Sequence, residues 1–134
     1  MIEDKHCCGV PHGHPLAAKD VISLEDLRGQ TIVMYARGIT RADDKLRDYL
    51  QDNLVDIDIL DIHKYNSSIA LKCQLSGAIL IYYSMYGDSF PALAQVPIEM
   101  DIQFPIDIGL GYRISANATI KNFIRLAKEL YPAV

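Results

Sequence analysis

Three histidines and two cysteines, the side chains that most often bind zinc, lie within nine residues near the start of the chain. They are His6, Cys7, Cys8, His12 and His14. Adjacent cysteines on a strand point to opposite faces of the sheet, so Cys7 and Cys8 cannot easily reach one ion. The spacing of these residues also fits known zinc motifs poorly. We therefore expect no specific metal site and no cofactor.

An enzymatic site is not evident either. The sequence contains no G-x-S-x-G, no glycine-rich phosphate loop with lysine and no H-E-x-x-H. Cys73 falls on the apolar face of a predicted helix with Ile69, which is typical of an inert core thiol. The acidic residues of the first long helix are expected on its solvated side: Asp43, Asp44, Asp48 and Asp52. We expect a chain that is not an enzyme.

The first candidate ligand-binding segment follows a short apolar run and precedes a predicted helix. A helix N-terminus presents unpaired N–H groups and a partial positive charge, which suit a carboxylate or another anion. Arg37 adds a bidentate donor, Gly38 a backbone N–H and Thr40 a hydroxyl. The alternative is a solvated loop in which Thr40 is an ordinary N-cap.

Two further polar segments follow strand candidates. Tyr65, Asn66 and Ser67 offer an aromatic wall with hydrogen-bonding groups, although capping of a helix explains Asn66 and Ser67 equally well. Tyr83 and Ser84 begin a third segment, and tyrosine rings with polar tips are useful walls for a small organic ligand. Core packing of Tyr82 and exposure of Tyr86 at a rim are the plain alternatives there.

The hydropathy pattern predicts the elements that would position these segments. Short apolar or alternating runs predict strands over residues 5–10, 31–36, 55–62, 78–83, 94–98 and 106–113. Helical spacing predicts helices over residues 41–53, 67–75 and 118–131, with a single helical turn near residues 23–29. Alternating strands and helices predict an α/β sheet, and ligands in such sheets bind at the carboxyl ends of strands.

Composition narrows the class of protein. The chain has 134 residues, 50% hydrophobic and 22% charged, which favours a single domain with a packed core. A net charge of −4 argues against a surface built mainly to bind nucleic acid. No apolar run is long enough for a membrane span, and no secretory signal is evident. Three cysteines form no disulfide framework and predict a cytoplasmic protein.

Two blocks near the start, His14–Ala17 (HPLA) and Ile22–Gly29 (ISLEDLRG), resemble the LysR-type transcriptional regulators. In that family, similar blocks lead into the second half of the effector-binding domain. Later runs match the family's closing strands and last helix in order and spacing: Gly77–Ile81, Pro91, Val96–Ile98, Ile108–Arg113 and Phe123–Ile124. The resemblance also gives His14 a structural explanation. It covers the chain from about Cys8 onward.

The resemblance implies a periplasmic-binding-protein-like (type 2) fold, in which two α/β halves are joined by crossing strands. Residues 1–134 would then form one effector-binding domain fragment, mainly the second half. This half would be a three-layer α/β sandwich with a mixed, mostly parallel sheet. The helix-turn-helix DNA-binding domain would be absent from the fragment, so DNA would be contacted only through that missing domain.

The resemblance also implies a function. A small effector, often an anion in this family, would bind between the halves and control DNA binding by a homo-oligomer. The helix around Leu46–Leu50 and the following strand would contribute to dimerisation, and exposed apolar surface with self-association is expected. A standalone solute-binding domain of the same fold is the alternative, and a small α/β enzyme is a more distant one.

Overall fold

The structure, a computed structural model, describes residues 2–108 and 118–130. The chain divides into two compact units. The larger comprises Lys5–Phe104, and the smaller is formed by the two ends of the chain, residues 1–4 and 105–134.

The described residues contain eight strands and three α-helices. The strands are β1 (Ile2–Asp4), β2 (His6–Pro11), β3 (Ile22–Ser23), β4 (Thr31–Tyr35), β5 (Asp58–Ile62), β6 (Ile79–Tyr83), β7 (Leu93–Glu99) and β8 (Ile106–Ile108). The helices are α1 (Arg41–Asn53), α2 (Ser67–Ser76) and α3 (Ala118–Leu130). Short 3-10 turns span Pro15–Ala18, Glu25–Leu27 and Ser84–Ser89.

The larger unit is built on a six-stranded sheet in the order β3-β7-β2-β6-β4-β5. Strand β4 lies between β5 and β6 and is parallel to both, and β3 is parallel to β7. Strand β2 is antiparallel to β6 and to β7. Three of the five pairings are therefore parallel, which confirms the predicted mixed, mostly parallel sheet.

One helix covers each face of this sheet. Leu46 and Leu50 of α1 pack with Met34 in one buried cluster. Ile69 and Cys73 of α2 pack in a second cluster with other side chains of the sheet. Alternate residues of a strand point to opposite faces, so one strand supplies both clusters. The predicted three-layer arrangement is confirmed.

The predicted start of one strand needs correction. Strand β5 starts at Asp58, three residues later than predicted, because Leu54 caps α1 and Val55 is 90% exposed in the connection. The helix predicted at the end of the chain is confirmed as α3, and most of its large apolar side chains are exposed. Ile124 is buried, whereas Phe123 is 63% exposed and Leu130 75% exposed.

The smaller unit contains an antiparallel pairing of β1 with β8, and it also carries α3. Strand β8 is described only as far as Ile108, so the remaining part of the predicted strand, residues 109–113, lies outside the described residues, as does Tyr131. Among the helices that the structure describes, none has the length and apolar character needed to cross a bilayer.

Candidate functional site

The three predicted ligand-binding segments begin at the carboxyl ends of three neighbouring strands. Strands β6, β4 and β5 are adjacent and parallel, so their carboxyl ends lie at the same edge of the sheet. The backbone N–H of Ala36, just after β4, donates to the carbonyl of Ile62 at 2.8 Å, which ties two of these ends together. The topology that the ligand-binding rule for α/β sheets requires is therefore present.

Thr40 is the N-cap of α1, as predicted. Its backbone is extended (φ −133°, ψ 147°), and its Oγ1 accepts a hydrogen bond from the N–H of Asp43 at 3.0 Å. The same hydroxyl donates to Asp43 Oδ2 at 2.5 Å. This pairing of the cap with the third helical residue fixes where α1 begins.

Asp43 is buried, which corrects the expectation that it lies on the solvated side of α1. Its Oδ1 accepts from His6 Nε2 at 3.0 Å, and its Oδ2 accepts from the Tyr83 hydroxyl at 2.7 Å as well as from Thr40. The side chains of His6 and Asp43 are 1% and 0% exposed. A helix, the first strand of the unit and the end of β6 therefore meet at one carboxylate.

The electrostatics of this cluster keep Asp43 ionised. Burial alone would raise the pKa of Asp43, but the hydrogen bonds from His6, Thr40 and Tyr83 outweigh burial and hold its pKa below the usual value. Burial, aided by the charge of Asp43, raises the pKa of Tyr83, so this phenol stays protonated and donates. A buried charge with three donors is a costly arrangement unless every bond is kept.

Arg37 and Gly38 lie on the exposed surface and already bind carboxylates of the chain. Arg37 Nη2 donates to Asp48 at 2.5 Å and to Gln51 at 3.3 Å. The N–H of Gly38 donates to the Asp44 carboxylate oxygens at 3.1 and 3.3 Å. Gly38 has a φ of 90°, a region that a residue with a Cβ rarely adopts.

The second segment places one aromatic ring in a cluster and uses its polar residues to begin α2. Tyr65 is half-buried, with ring centroids 4.5 Å from Tyr35 and 5.6 Å from Tyr86. Asn66 Oδ1 accepts from the N–H of Ser68 at 3.1 Å, so the capping alternative is confirmed for Asn66. Ser67 is the exposed first residue of α2.

The third segment begins at Tyr83, the last residue of β6, and continues with Ser84. The N–H of Ser84 donates to the carbonyl of Lys5 at 2.9 Å, and its own carbonyl accepts from Gln95 Nε2 at 3.0 Å. Tyr82 is fully buried and Tyr86 is 38% exposed, as the plain alternatives predicted for these two rings.

The histidine and cysteine cluster is dispersed by the fold. Cys7 and Cys8 belong to the two different buried clusters, on opposite faces of the sheet, as predicted. His14 caps the turn that starts at Pro15 by accepting from the N–H of Leu16 at 3.1 Å. Over residues 2–108 and 118–130, no three metal-binding side chains converge on a common point.

Burial keeps two of the thiols protonated. Burial raises the pKa of Cys73 to about 11 and raises the pKa of Cys8 further. Cys73 is 0% exposed, so the predicted core role is confirmed.

Sequence reasoning missed His6 and Asp43 as partners in the site. The spacing of Thr40 and Asp43 does carry a signal, because an N-cap threonine followed three residues later by an acid is a recurring helix start. His6 carries no comparable local signal. Its partner lies 37 residues away, and only the antiparallel register of His6 opposite Tyr83 brings it to α1.

Comparison with solved structures reveals the same fold in regulatory domains. The chain matches the regulatory domain of CcmR from Synechocystis PCC6803 in complex with 2-PG, with a TM-score of 0.66 and 15% identity. This match covers 96% of the chain and 64% of CcmR's. The effector-binding domain of QuiR in complex with shikimate matches with a TM-score of 0.64 and 18% identity, over 95% of this chain and 63% of QuiR's.

A third match is the oxidised form of OxyR, with a TM-score of 0.64 and 15% identity, over 98% of this chain and 62% of OxyR's. The chain therefore spans under two thirds of the length of each of these three structures. No curated protein sequence matches the chain. At such low identities the structural likeness establishes the fold alone.

The sequence itself identifies the family. The family model described as the LysR substrate binding domain matches residues 1–131, almost the whole chain. This match agrees with the His14–Ala17 block, the mixed sheet and the solved regulatory domains that share its fold. The chain belongs to the LysR substrate-binding domain family.

Proposed function

We propose that this chain is the effector-sensing part of a LysR-type transcriptional regulator. It would bind a small metabolite and so control DNA binding by the whole protein. The observation that carries the proposal is the family match over residues 1–131. Two of the solved regulatory domains with this fold are complexes with 2-PG and with shikimate, which supports a binding role rather than an enzymatic one.

The larger unit would supply one wall of the effector site. We propose that Lys5–Phe104 corresponds to the second half of a regulatory domain, because it forms a compact α/β unit by itself. The proposed ligand-contacting residues lie in the segments that follow β4, β5 and β6: Arg37, Gly38, Thr40, Tyr65, Asn66, Ser67, Tyr83 and Ser84. The shared edge of the sheet is what supports this grouping.

We propose that the effector carries a carboxylate or a similar anion. The donors of the first segment each already bind a carboxylate of α1. Arg37 binds Asp48, the N–H of Gly38 binds Asp44, and the Thr40 hydroxyl binds Asp43. An effector carboxylate would replace these carboxylates at the exposed Arg37 and Gly38 and at the half-buried hydroxyl of Thr40.

A homo-oligomer in the cytoplasm, with DNA contacted through a separate domain, completes the proposal. The net charge of −4 supports a separate origin for the DNA-binding surface. Leu46 and Leu50 are fully buried in the chain's own core, so a contribution of α1 to dimerisation would come from the exposed residues of the helix. Exposed apolar side chains on α3 remain available for self-association, which light scattering would measure.

A thermal-shift experiment tests the effector site. Shikimate, 2-PG and a panel of small carboxylic acids would be added to the wild-type chain, to Thr40→Ala and to Thr119→Ala, which removes an exposed threonine of α3. A ligand at about 100 times its Kd stabilises by about 2.7 kcal/mol, which raises the Tm by several degrees.

We expect at least one acid to raise the Tm of the wild type and of Thr119→Ala, and to have less effect on Thr40→Ala. A ligand that stabilises all three proteins equally would remove Thr40 from the site. A complete lack of stabilisation by any acid would count against the proposed function of this chain.

A further inference from the structure

The buried Asp43 carboxylate connects two parts of the larger unit that no local sequence feature relates. On one side are the hydroxyls of Thr40 and Tyr83, whose oxygens lie 3.0 Å apart and both donate to Asp43 Oδ2. On the other side is His6, which donates to Oδ1 at 3.0 Å. His6 begins β2, and it is the second residue of the larger unit, which the chain enters at Lys5.

We propose that Asp43 is a positioning residue that couples occupancy of the ligand segments to the strand by which the chain enters the larger unit. This inference rests on the proposed function, because it concerns regulation of the same site. A ligand that takes the hydroxyl of Thr40 or Tyr83 withdraws a donor from Asp43. The buried carboxylate then depends more strongly on His6, so the state of the site is transmitted to β2.

The burial of the cluster is what makes this coupling effective. With side-chain exposures of 1% for His6 and 0% for Asp43, water cannot replace a withdrawn donor. An exposed carboxylate would exchange one partner for solvent with little effect on the other oxygen. A buried one must redistribute its remaining bonds, which makes the energies of its partners interdependent.

A second hydrogen bond, at the residue before His6, also holds the start of β2 in place. The carbonyl of Lys5 accepts from the N–H of Ser84, in the third ligand segment. The start of β2 is therefore held to the third ligand segment by a backbone hydrogen bond. It is held to the first ligand segment by the side-chain hydrogen bond between His6 and Asp43. No hydrogen bond or ring contact joins Thr40 directly to His6 among the contacts of the described residues, so a signal between them passes through Asp43 or through Tyr83.

A measurement at His6 tests the coupling without any ligand. Thr40→Val keeps the shape of the side chain but removes the hydroxyl, and with it both the donor to Asp43 Oδ2 and the cap of α1. NMR of the full 134-residue chain, labelled at histidine, would report the exchange rate and chemical shift of the His6 Nε2 proton. Asn66→Ala is the matched control, because it removes the cap of α2, and the side-chain hydrogen bonds that the described residues give Asn66 go to Ser68 alone.

We expect Thr40→Val to change the exchange rate of the His6 Nε2 proton by about fivefold or more, and Asn66→Ala to leave it unchanged. In the Asp43→Asn background, Thr40→Val should no longer affect His6. An unchanged His6 signal in a folded Thr40→Val protein would overturn the proposal, as would an effect that persists in Asp43→Asn.

A second pair of variants covers the case in which Asp43→Asn fails to fold. The rings of Tyr83 and His6 are 4.7 Å apart, so Tyr83 offers a rival route. In Tyr83→Phe, which removes the hydroxyl from that route, Thr40→Val should still affect His6. Loss of the effect there would assign the coupling to Tyr83 instead. Since no ligand is used, failure of the coupling is distinguishable from failure of effector binding.

Discussion

The two long helices of the larger unit begin in the same local way but are integrated into the fold very differently. Thr40 and Asn66 are both extended residues whose side-chain oxygen accepts an N–H of the first helical turn. At α1 the cap belongs to a buried cluster with partners on β2 and β6. At α2 the hydrogen bonds made by the cap side chain stay within the helix start, at Ser68.

This difference shows that a capping motif does not reveal how much a helix start contributes to the stability of the folded chain. Asp43 follows Thr40 by three residues and points toward the sheet, where His6 and Tyr83 complete its hydrogen bonds. Ser68 follows Asn66 on an exposed surface, where water can replace any bond that is lost. The cost of disrupting each start should therefore depend on burial rather than on the cap itself.

Removing the Asp43 carboxylate is expected to have the largest effect. Asp43→Ala leaves His6 and the hydroxyls of Thr40 and Tyr83 without their buried acceptor, so we expect a loss of about 3 kcal/mol in the free energy of unfolding. Urea denaturation measures this. Asp52→Ala, which removes an exposed acid of the same helix, is the control and should cost under about 0.5 kcal/mol. Equal losses in the two variants would contradict the comparison.

Lowering the pH should remove the contribution that Asp43 makes to the free energy of unfolding at the start of α1. Because the pKa of Asp43 is lower in the folded chain than its ordinary value near 3.8, its contribution to stability is fully present at neutral pH. That contribution begins to fade as the pH falls through about 4 and is lost below the folded pKa. Urea denaturation at a series of pH values checks this, with Asp43→Asn as the comparison protein. We expect a smaller acid-induced loss in Asp43→Asn than in the wild type.

Most of the sheet could be predicted from the sequence because each element carries its own periodicity. Strand β6 is apolar on both alternations and is indeed buried on both faces, and the bounds of α1 agree with its predicted range. The prediction of a mixed, mostly parallel sheet depended on the resemblance to the LysR family, and the order of the strands was not predicted, since periodicity alone does not specify pairing. Strand β5 was predicted too long because the residues before it alternate in hydropathy without forming a strand.

The candidate site was only partly predictable for a physical reason. Thr40, Asn66 and Tyr65 could be located because each follows a strand at a helix entrance. The role of Asp43 could not, since the helical pattern around it places four aspartates on the same helix and only long-range contacts distinguish the buried one. His6 was singled out for its ability to bind metal, but its ring serves a carboxylate instead.

The α2 start should be affected less than α1 by loss of its own cap. Asn66→Ala removes the acceptor for the N–H of Ser68, but that N–H is then free to bind water. We therefore expect a loss of about 1 kcal/mol in the free energy of unfolding. Asn66→Asp retains the acceptor and should restore most of the stability. Thermal or urea unfolding of the three proteins measures the difference. A loss in Asn66→Ala as large as in Asp43→Ala would show that burial does not decide the cost.

The smallest effect on stability is expected at Arg37, which lies on the exposed side of the α1 start. Its ion pair with Asp48 joins two side chains that are each more than half exposed. Exposed pairs contribute little, and salt screens them, so Arg37→Gln should change the free energy of unfolding by under about 0.5 kcal/mol. Urea denaturation at low and high salt would measure this change.

Ligand binding should show the opposite ranking, because an exposed guanidinium is available to an anion whereas Asp43 is enclosed. If an acid is found that stabilises the wild type, Arg37→Gln should reduce that stabilisation while leaving the unliganded Tm almost unchanged. Isothermal titration with that acid measures the change in affinity. An unchanged affinity would place the anion away from the first segment, and a large loss of intrinsic stability would mean that Arg37 is a structural residue. Variants of two residues at the start of α1 therefore separate the two roles, because Asp43 should affect stability and Arg37 should affect ligand affinity.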